Sequence, residues 1–568
     1  MRRLTILLLT ACLPVMAQET AIVRYQDLSH PVLGPNGMVA SQNIHATRVG
    51  AEILAAGGNA VDAGVAVGFA LAVTLPRAGN LGGGGFMLIH DADTDTNTSI
   101  DYREMAPPRA TRDMFVVEGT VDNMLARFSH LSAGVPGTVA GMWEAHQRFG
   151  KLPWKQVVEP AVRLASDGFP MSYDLGILLS ARRKQLCQFD AACGYFYKAD
   201  GSDYQPGEIF RQPDLAATLQ AIADEGPDGF YKGWVARLMA EEMARHGGLV
   251  DEEAMASYKA TWREPVTGNY RGYDIVTMAP PSSGGVHMIQ MLNILENFDV
   301  RGMGYGSANA VHLLAESARF AYADRSEHLG DPDYYDVPVD WLTSKSYAKT
   351  LAARIDMDKA TPSEEVAPGV APKKESDDTT HFSVIDKDGN VVSNTYTLNF
   401  SFGSGIAVRG AGFLLNNEMD DFSAMPGSPN GFGLLGGEAN SIVAGKRPLS
   451  SMTPTMVFAD GEPWFATGSP GGSRIITTVM QMVVNVIDHQ MNISSATNAP
   501  RMHHQWYPNV LQMESGFSPD TVQLLLEKGH DVNPARYTMG SIQAVAVKDG
   551  VFRGASDPRR PNSASIAP

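Results

Sequence analysis

The sequence predicts an α+β fold, built either as two domains or as one large layered domain. Three observations support this prediction. The chain has 568 residues, more than one compact core usually holds. Helical periodicity recurs through its first 325 residues, and strongly β-prone runs begin at Thr379. The composition, 44% hydrophobic and 19% charged, is that of an ordinary globular enzyme.

The N-terminus has the pattern of a signal peptide. Arg2 and Arg3 precede an apolar stretch that is too short to span a membrane, and Val15-Met16-Ala17 fits a signal-peptidase site. We therefore expect residues 1–17 to be removed and the protein to be periplasmic or secreted. The alternative is a lipoprotein box at residues 9–12 that would lipidate Cys12, but the residues after Cys12 stay apolar. No other apolar stretch reaches the roughly 18 residues that a membrane span needs.

The cysteine count and the net charge argue against metal and nucleic-acid partners. Loss of Cys12 with the signal peptide would leave Cys187 and Cys193, which are close enough to form a disulfide after export. Two unpaired thiols are the alternative, and two sulfurs alone are a poor metal site. The net charge is −17 and no basic run is present, which argues against nucleic acid as a partner.

Helical patterns run through the first two thirds of the chain. Asn59 is expected to cap a helix that ends at Thr74 and is apolar nearly all round, so this helix should be buried between layers. Another helix precedes it, from Ala46 to Ala56. Further helical patterns cover Trp154–Ser166, Leu215–Glu225, Lys232–Arg245, Val286–Asn297 and Ala310–Arg325.

Two motifs resemble a nucleotide-binding loop and a metal site, but the rest of their sequence pattern argues against both. The glycines at 82–85 lack the Lys-Ser/Thr of a phosphate loop and the spacing of a dinucleotide fingerprint, so close backbone packing before a strand at Met87–Ile89 is expected. Adjacent histidines such as His503 and His504 rarely bind one ion together, and we interpret them as structural. No metal and no cofactor are expected at the functional site.

Residues 358–378 change the character of the chain. They are rich in Pro, Lys and acidic residues and poor in apolar ones, which predicts an exposed, mobile linker. Thr379 then opens a β-rich run that returns through a hairpin turn at Lys387–Asn390. Such a linker offers a cleavage point directly before Thr379.

Cleavage there would create a nucleophile. A Thr hydroxyl needs a base, and the α-amine of the same residue, with a pKa of about 8, can serve at neutral pH. Only a Thr at a new N-terminus has such an amine. Taken alone, Thr379 would be interpreted as an ordinary Thr that begins a strand. Whether it is a nucleophile therefore depends on the motifs around it.

Several long motifs in order resemble the γ-glutamyltransferase family, which belongs to the N-terminal-nucleophile hydrolases. They are Gly79–Phe86, Tyr102–Pro107, Thr379–Val384, Thr395–Asn399, Leu415–Phe422, Lys446–Met452 and Gly468–Ser473. The resemblance covers nearly all of the chain after the signal peptide. It implies a four-layer αββα sandwich that cleaves itself between Asp378 and Thr379. Residues 18–378 would form the large subunit and 379–568 the small one, held as a heterodimer.

The same resemblance implies roles for the site residues. Thr379 would be the nucleophile, Thr397 would support its hydroxyl and amine, and the N–H groups of Gly471 and Gly472 would bind the oxyanion. The substrates would be glutathione and other γ-glutamyl compounds, with amino acids or dipeptides as acceptors. The loop at 426–437 would cover the substrate, and Phe432 stands where some relatives have Tyr, so a polar latch there is in doubt.

The residues implied to recognise the substrate make chemical sense. A γ-glutamyl group carries a carboxylate and an ammonium. Arg103 can grip the carboxylate in a forked geometry, with hydroxyls from Ser450 and Ser451. Glu418 and Asp421 would accept from the ammonium, assisted by Asn399. Without the resemblance, each of these would be interpreted as a structural residue.

Two other functions remain open from the sequence. A related acylase would remove a glutaryl-like group from a β-lactam nucleus, but its substrate lacks the ammonium that Glu418 and Asp421 fit. A secreted amino-acid-binding protein without catalysis would keep its linker intact. One denaturing gel separates the second case, because a binder gives one band and the enzyme gives two.

Overall fold

Two antiparallel sheets of seven strands each form the centre of the computed structural model, which describes residues 29–366, 379–535 and 538–568. Sheet 1 contains, in spatial order, Val32–Gly34, Val551–Ser556, Gln543–Lys548, Glu462–Thr467, Thr455–Ala459, Tyr273–Thr277 and Val266–Tyr270. Sheet 2 contains Ala564–Ile566, Gly37–Ser41, Thr380–Asp386, Val391–Thr397, Gly84–Asp91, Thr96–Tyr102 and Thr261–Arg263. In a smaller three-stranded sheet, Leu511–Met513 pairs with Met502–His503 on one side and with Val532–Pro534 on the other. Two-stranded sheets pair Val116–Val117 with Thr120–Val121 and Phe169–Pro170 with Ile209–Phe210. The expected signal peptide, Cys12 and Asp378 lie outside the described residues.

The two large sheets pack against each other, and helices cover both outer faces. Strand Thr380–Asp386 of sheet 2 contacts strand Gln543–Lys548 of sheet 1, while helix Ala60–Thr74 packs on the other side of sheet 2. Helix Gly284–Leu295 covers sheet 1 and in turn contacts helix Arg474–Ile487. The order helix, sheet, sheet, helix confirms the predicted αββα sandwich.

The helices predicted from periodicity are confirmed to within a few residues. The described helices of eight residues or more are Ile44–Ala55, Ala60–Thr74, Thr138–Phe149, Trp154–Asp167, Tyr173–Leu186, Pro213–Glu225, Gly233–His246, Gly284–Leu295, Ala308–His328, Lys345–Ala352, Arg474–Ile487 and Pro519–Glu527. Short helices occur at Asn123–Phe128, Asp190–Phe196, Asp228–Tyr231, Glu252–Ser257, Val300–Met303, Val339–Leu342, Ser363–Val366 and Ile493–Asn498, and 3₁₀ turns at His130–Ser132, Glu418–Asp421 and Glu438–Asn440.

Helix Ala60–Thr74 lies between layers because it is apolar on every side. All fifteen of its residues are buried. Asn59 caps it by accepting from the N–H groups of Val61 and Asp62, and the Asp62 side chain reciprocally accepts from the N–H of Asn59. The predicted cap is therefore confirmed, and it fixes the helix start against the outer face of sheet 2.

Sheet 2 interleaves chain from both sides of Thr379. The hairpin Thr380–Asp386 and Val391–Thr397, predicted from its turn residues, occupies the middle of the sheet. Strand Gly37–Ser41 pairs with its first strand, and strand Gly84–Asp91 pairs with its second. A cut before Thr379 would therefore leave two chains joined by ladders on both sides of the hairpin.

The glycines at 82–85 pack closely against neighbouring backbone, as predicted. A Cβ at Gly82 would lie 2.1 Å from the carbonyl oxygen of Leu414, and one at Gly83 would lie 2.0 Å from that of Thr397. Gly85 likewise faces Tyr396 at 2.4 Å. No side chain fits at these positions, so the segment can lie directly behind strand Val391–Thr397.

In the described part of the predicted linker, Asp358, Lys359, Glu364 and Glu365 are exposed as predicted, but the prediction is wrong at Ser363. Ser363 is fully buried, its hydroxyl donates to the carbonyl oxygen of Trp506 at 2.7 Å, and it accepts from Arg319 at 2.6 Å. Trp506 Nε1 donates back to the Ser363 carbonyl at 2.9 Å. Polar composition misled the prediction, because a buried guanidinium and a buried indole need polar partners from this segment. Residues 367–378 lie outside the described part of the chain.

The remaining sequence predictions concern covalent links and membranes. Cys187 and Cys193 form the expected disulfide, six residues apart, at the end of helix Tyr173–Leu186. Among the described residues, no helix is both long enough and apolar enough to cross a bilayer.

Candidate functional site

One pocket collects nine of the residues that the sequence predicted for the site. It lies where Thr379 enters sheet 2, between the 3₁₀ turn Glu418–Asp421 and the start of helix Arg474–Ile487. The nine are Arg103, Thr379, Thr397, Asn399, Glu418, Asp421, Ser450, Ser451 and Gly472. Gly471 is adjacent to the lining but not part of it. Arg325, Phe432, Leu434, Met452 and Ile475 also line the pocket.

Thr379 lies at the base of the pocket with its hydroxyl beside that of Thr397. The two Oγ1 atoms are 3.3 Å apart, and Thr379 is only 4% exposed. Thr397 Oγ1 accepts from the N–H of Asn399 at 2.8 Å, so its hydrogen can be directed at Thr379. Asn399 has a φ of +76°, a left-handed conformation that Asn tolerates better than most residues. This turn holds two predicted site residues next to the Thr379 hydroxyl.

The Gly471-Gly472 turn leads into the N-terminus of helix Arg474–Ile487. Both glycines have positive φ, +138° and +53°, and neither N–H forms a hydrogen bond within the described residues. A helix N-terminus carries partial positive charge and unpaired N–H groups. The turn can therefore donate hydrogen bonds to a developing oxyanion, although only Gly472 reaches the pocket lining.

A buried arginine and three carboxyl groups form the charged end of the pocket. One terminal nitrogen of Arg103 contacts Glu418, and the other donates to Asp421 Oδ2 at 2.5 Å. Glu104 approaches the first nitrogen at 3.6 Å. Arg103 also donates to the carbonyl oxygens of Pro448 and Leu449, each at 3.3 Å. The Arg103 fork is therefore held rigidly in a plane beside the pocket.

This cluster holds more carboxyl groups than cations. Burial favours the neutral forms, which raises the pKa of Glu104 to about 7 and raises the pKa of Glu418 and of Asp421 despite the nearby Arg103. Burial alone would lower the pKa of Arg103, but Glu418 and Asp421 more than offset this and raise it. Glu104 Oε1 and Glu418 Oε2 are buried with no hydrogen-bond partner among the described residues. Glu418 lines the pocket and could accept from an added cation, whereas Glu104 is not among the lining residues.

Arg325 is a pocket residue that sequence reasoning missed. It extends from helix Ala308–His328 and donates to Ser283 Oγ at 2.8 Å and to Ser451 Oγ at 3.3 Å. Burial lowers its pKa to about 10, and no described carboxylate lies within salt-bridge distance of it. Arg325 therefore brings positive charge to the side of the pocket where Ser451 lies. Its helical periodicity was visible in the sequence, but nothing marked it as facing a site.

The loop at 426–437 closes over the pocket, with its apolar residues turned inward. Phe432 is 5% exposed and stacks on Phe400 with ring centroids 5.0 Å apart. Asn430, which sequence reasoning also missed, donates from Nδ2 to Asp421 Oδ1 at 3.2 Å. The N–H of Gly431 donates to Asp420 Oδ2 at 2.9 Å. The loop is thus anchored by polar contacts at 430–431, although Phe432 itself has no hydroxyl.

The two histidines excluded as metal ligands have structural partners. His503 contacts Thr477 and Gln505, each at 2.8 Å, and His504 accepts from the N–H of Trp506 at 3.2 Å. Both rings are buried, which lowers the pKa of His503 to about 3 and lowers that of His504. They hold the segment around Gln505, whose side chain donates to the carbonyl of Phe432 at 3.3 Å.

Comparison with known proteins agrees with this geometry. A family model described as Gamma-glutamyltranspeptidase matches residues 46–567. The chain is 54% identical to the glutathione hydrolase proenzyme of Escherichia coli (strain K12), over 94% of this chain and 92% of that protein. The crystal structure of γ-glutamyltranspeptidase from Helicobacter pylori is 43% identical with a TM-score of 0.57, covering 61% of this chain and 97% of its own. Cephalosporin acylase from Bacillus halodurans has a TM-score of 0.85 at 26% identity, covering 97% and 99%.

Proposed function

The chain belongs to the γ-glutamyltranspeptidase family and is an enzyme that hydrolyses and transfers γ-glutamyl groups, and from this premise we propose that Thr379 carries the reaction. The observation that supports this role most strongly is its position. Thr379 opens a central strand, is almost fully buried, and lies in one pocket with a zwitterion-binding charge pattern. The substrates are glutathione and other γ-glutamyl amides, and the acceptors are water, amino acids or dipeptides.

The first reaction is maturation. The Thr379 hydroxyl attacks the carbonyl of Asp378, the peptide C–N bond breaks, and the Asp378 acyl group moves to Oγ1 as an ester. Water hydrolyses that ester and leaves residues 18–378 and 379–568 as two chains. Thr379 then has a free α-amine. The interleaved strands of sheet 2 keep the two chains together as a heterodimer.

The second reaction is turnover on the same hydroxyl. The α-amine accepts the proton as Oγ1 attacks the γ-carbonyl of the substrate, and Thr397 supports both groups. The oxyanion is stabilised by the N–H groups of Gly471 and Gly472. The leaving amine takes the proton, and a γ-glutamyl ester remains on Thr379. Water or an acceptor amine then attacks that ester and regenerates the enzyme.

The charged end of the pocket selects the γ-glutamyl group. The substrate carboxylate binds to Arg103 with the hydroxyls of Ser450 and Ser451. The substrate ammonium binds to Glu418 and Asp421, with Asn399 assisting. An ammonium gives a partner to the unpartnered Oε2 of Glu418, which lines the pocket, and this favours a γ-glutamyl substrate over a glutaryl group. The related acylase is the second candidate, favoured by the similarity to cephalosporin acylase and to an acylase proenzyme of Pseudomonas sp. (strain SE83).

The experiment that tests the nucleophile compares Thr379→Ala with Thr379→Ser. On a denaturing gel, the wild type should give two chains, and the Ser variant should also cleave because it keeps a hydroxyl. The Ala variant should remain one chain and hydrolyse no γ-glutamyl anilide. An Ala variant that cleaves, or an uncut wild type with full activity, would contradict the mechanism.

The location of the protein is a separate proposal. The N-terminal pattern favours cleavage after Ala17 and release into the periplasm or outside the cell. N-terminal sequencing of the large chain from exported protein should begin at Gln18. A lipid-modified N-terminus at Cys12 would replace this proposal with the lipoprotein alternative.

A further inference from the structure

Three side chains of metal-ligand type that do not line the pocket converge near its charged end, where the turn His130–Ser132 packs against the turn Glu418–Asp421. Glu242 and His246 lie one turn apart at the C-terminal end of helix Gly233–His246, so they share a face. His130 approaches from the 3₁₀ turn His130–Ser132. Its Nε2 lies 3.1 Å from Glu242 Oε1, and His246 Nε2 lies 3.6 Å from the same oxygen. One ligand atom from each residue lies within 4.8 Å of the others.

We propose that His130, Glu242 and His246 form a binding site for a Zn²⁺ ion, with water in the fourth position. Two imidazoles and one carboxylate are a common zinc ligand set. Zinc bonds of about 2.0–2.1 Å in tetrahedral geometry separate neighbouring ligand atoms by about 3.3 Å. The two distances to Glu242 Oε1, 3.1 and 3.6 Å, bracket that value, and all three ligand atoms lie within 4.8 Å of one another.

The surroundings define how the three side chains would have to move to bind an ion. The two imidazole rings stack with centroids 4.4 Å apart and planes at 18°, so the exposed His246 ring must turn before the in-plane lone pairs of both Nε2 atoms can meet at one ion. Arg245 lies 3.7 Å from the other oxygen, Glu242 Oε2, which leaves Oε1 facing the imidazoles.

Burial gives the site both rigidity and an entry path. The side chains of His130 and Glu242 are 5% and 8% exposed, and the His130 ring also packs edge-on against Phe189. His246 is 52% exposed and ends its helix, so an ion can enter from solvent on that side. Two fixed ligands and one accessible ligand suit an ion that binds from solution.

A second group of similar residues has no capacity for a metal. In the cluster of His312, Glu316 and His530, His312 Nε2 donates to the carbonyl of Asp356 at 2.9 Å, and its Nδ1 accepts from His530 Nε2 at 2.7 Å. Both Glu316 oxygens accept, from Arg319 Nε at 3.2 Å and from the N–H of Thr361 at 3.2 Å. All three of its residues are buried and both Glu316 oxygens accept from groups outside the cluster, whereas Glu242 Oε1 faces the two imidazoles and His246 is open to solvent.

Zinc titration of chelator-treated full-length protein tests the proposal, read by competition with a chromophoric chelator. The wild type should bind one Zn²⁺ that His246→Ala and Glu242→Gln each weaken by more than about tenfold. His30→Ala removes an exposed histidine elsewhere and is the matched control, which should leave the affinity unchanged. Co²⁺ should give the visible absorption of a tetrahedral site in the wild type and lose it in His246→Ala.

The controls keep the result interpretable. His246 lies outside the pocket, so His246→Ala should retain self-cleavage and γ-glutamyl hydrolysis, which shows that it is folded. A wild type that binds no Zn²⁺, or that binds it as weakly as His246→Ala does, would overturn the proposal. Equal losses in His30→Ala and His246→Ala would overturn it too, because they would indicate nonspecific binding by surface histidines.

Discussion

Replacing Asp421 with Asn tests whether this carboxylate recognises the substrate ammonium. Asp421 Oδ2 accepts from Arg103 and Oδ1 accepts from Asn430, under the closed loop at 426–437. Asn keeps the size and one acceptor oxygen but removes the charge. A charge-assisted contact is worth about 1.5–3 kcal/mol. We expect kcat/KM for a γ-glutamyl anilide to fall about 10- to 100-fold, since each 1.36 kcal/mol is about tenfold.

The assay compares matched γ-glutamyl and glutaryl anilides, because the substitution has a second effect. Asp421→Asn also removes one of the two carboxylates that hold Arg103, and that loss acts on both substrates alike. The ratio of the two kcat/KM values cancels this shared effect. The ratio should fall about 10- to 100-fold, since only the γ-glutamyl substrate has an ammonium to lose.

Two results would refute this reasoning. Equal losses for both anilides would mean that Asp421 only supports Arg103 or the loop. A wild type that already prefers the glutaryl anilide would replace the γ-glutamyl assignment with the acylase.

Three further substitutions test other parts of the site. Arg103→Lys should lose most γ-glutamyl turnover but still cleave itself. One ammonium cannot contact Glu418 and Asp421 and also bind the substrate carboxylate as the guanidinium is proposed to do, and full activity would make Arg103 a local charge only. Gly472→Ala should raise KM, because the φ of Gly472 is +53° and a Cβ there would lie 2.6 Å from the Phe432 ring. Adding Phe432→Ala should bring KM part of the way back. A KM that stays high in the double variant would show that the strain does not come from the Phe432 ring. Glu104→Gln should flatten the pH dependence of stability. Burial raises the pKa of Glu104 from 4.5 to about 7, so between these pH values the folded wild type holds a proton that the unfolded chain has lost. The free energy of unfolding of the wild type therefore falls as the pH rises from 4.5 to 7. Chemical denaturation across the window measures this, and an unchanged slope would show that Glu104 is not the group responsible.

Local pattern was enough to predict much of the fold. The capping box at Asn59 and the all-round apolar character of Ala60–Thr74 are properties of consecutive residues, and both are found in the structure. The hairpin after Thr379 follows from its turn residues in the same way. Ser363 was mispredicted because its environment is made by Arg319 and Trp506, which are far away in the chain.

The site could be predicted only in part, because residues that are far apart in the chain come together in it. Thr379, Arg103 and Asp421 were found through motifs that resemble a family, not through spacing, and the structure brings them into one pocket. Arg325 was missed because a buried arginine on a regular helix has no local mark of its role. Asn430 was missed because its contact with Asp421 depends on how the loop closes.

Mass spectrometry of acid-quenched enzyme during γ-glutamyl anilide turnover tests the central claim most directly. The smaller chain should begin Thr-Thr-His-Phe, and part of it should carry one γ-glutamyl group in ester linkage on its N-terminal residue, Thr379. Thr397→Ala should lower the fraction of chain that acquires this group. A smaller chain that begins at another residue, or a γ-glutamyl group found on any other side chain, would contradict the account.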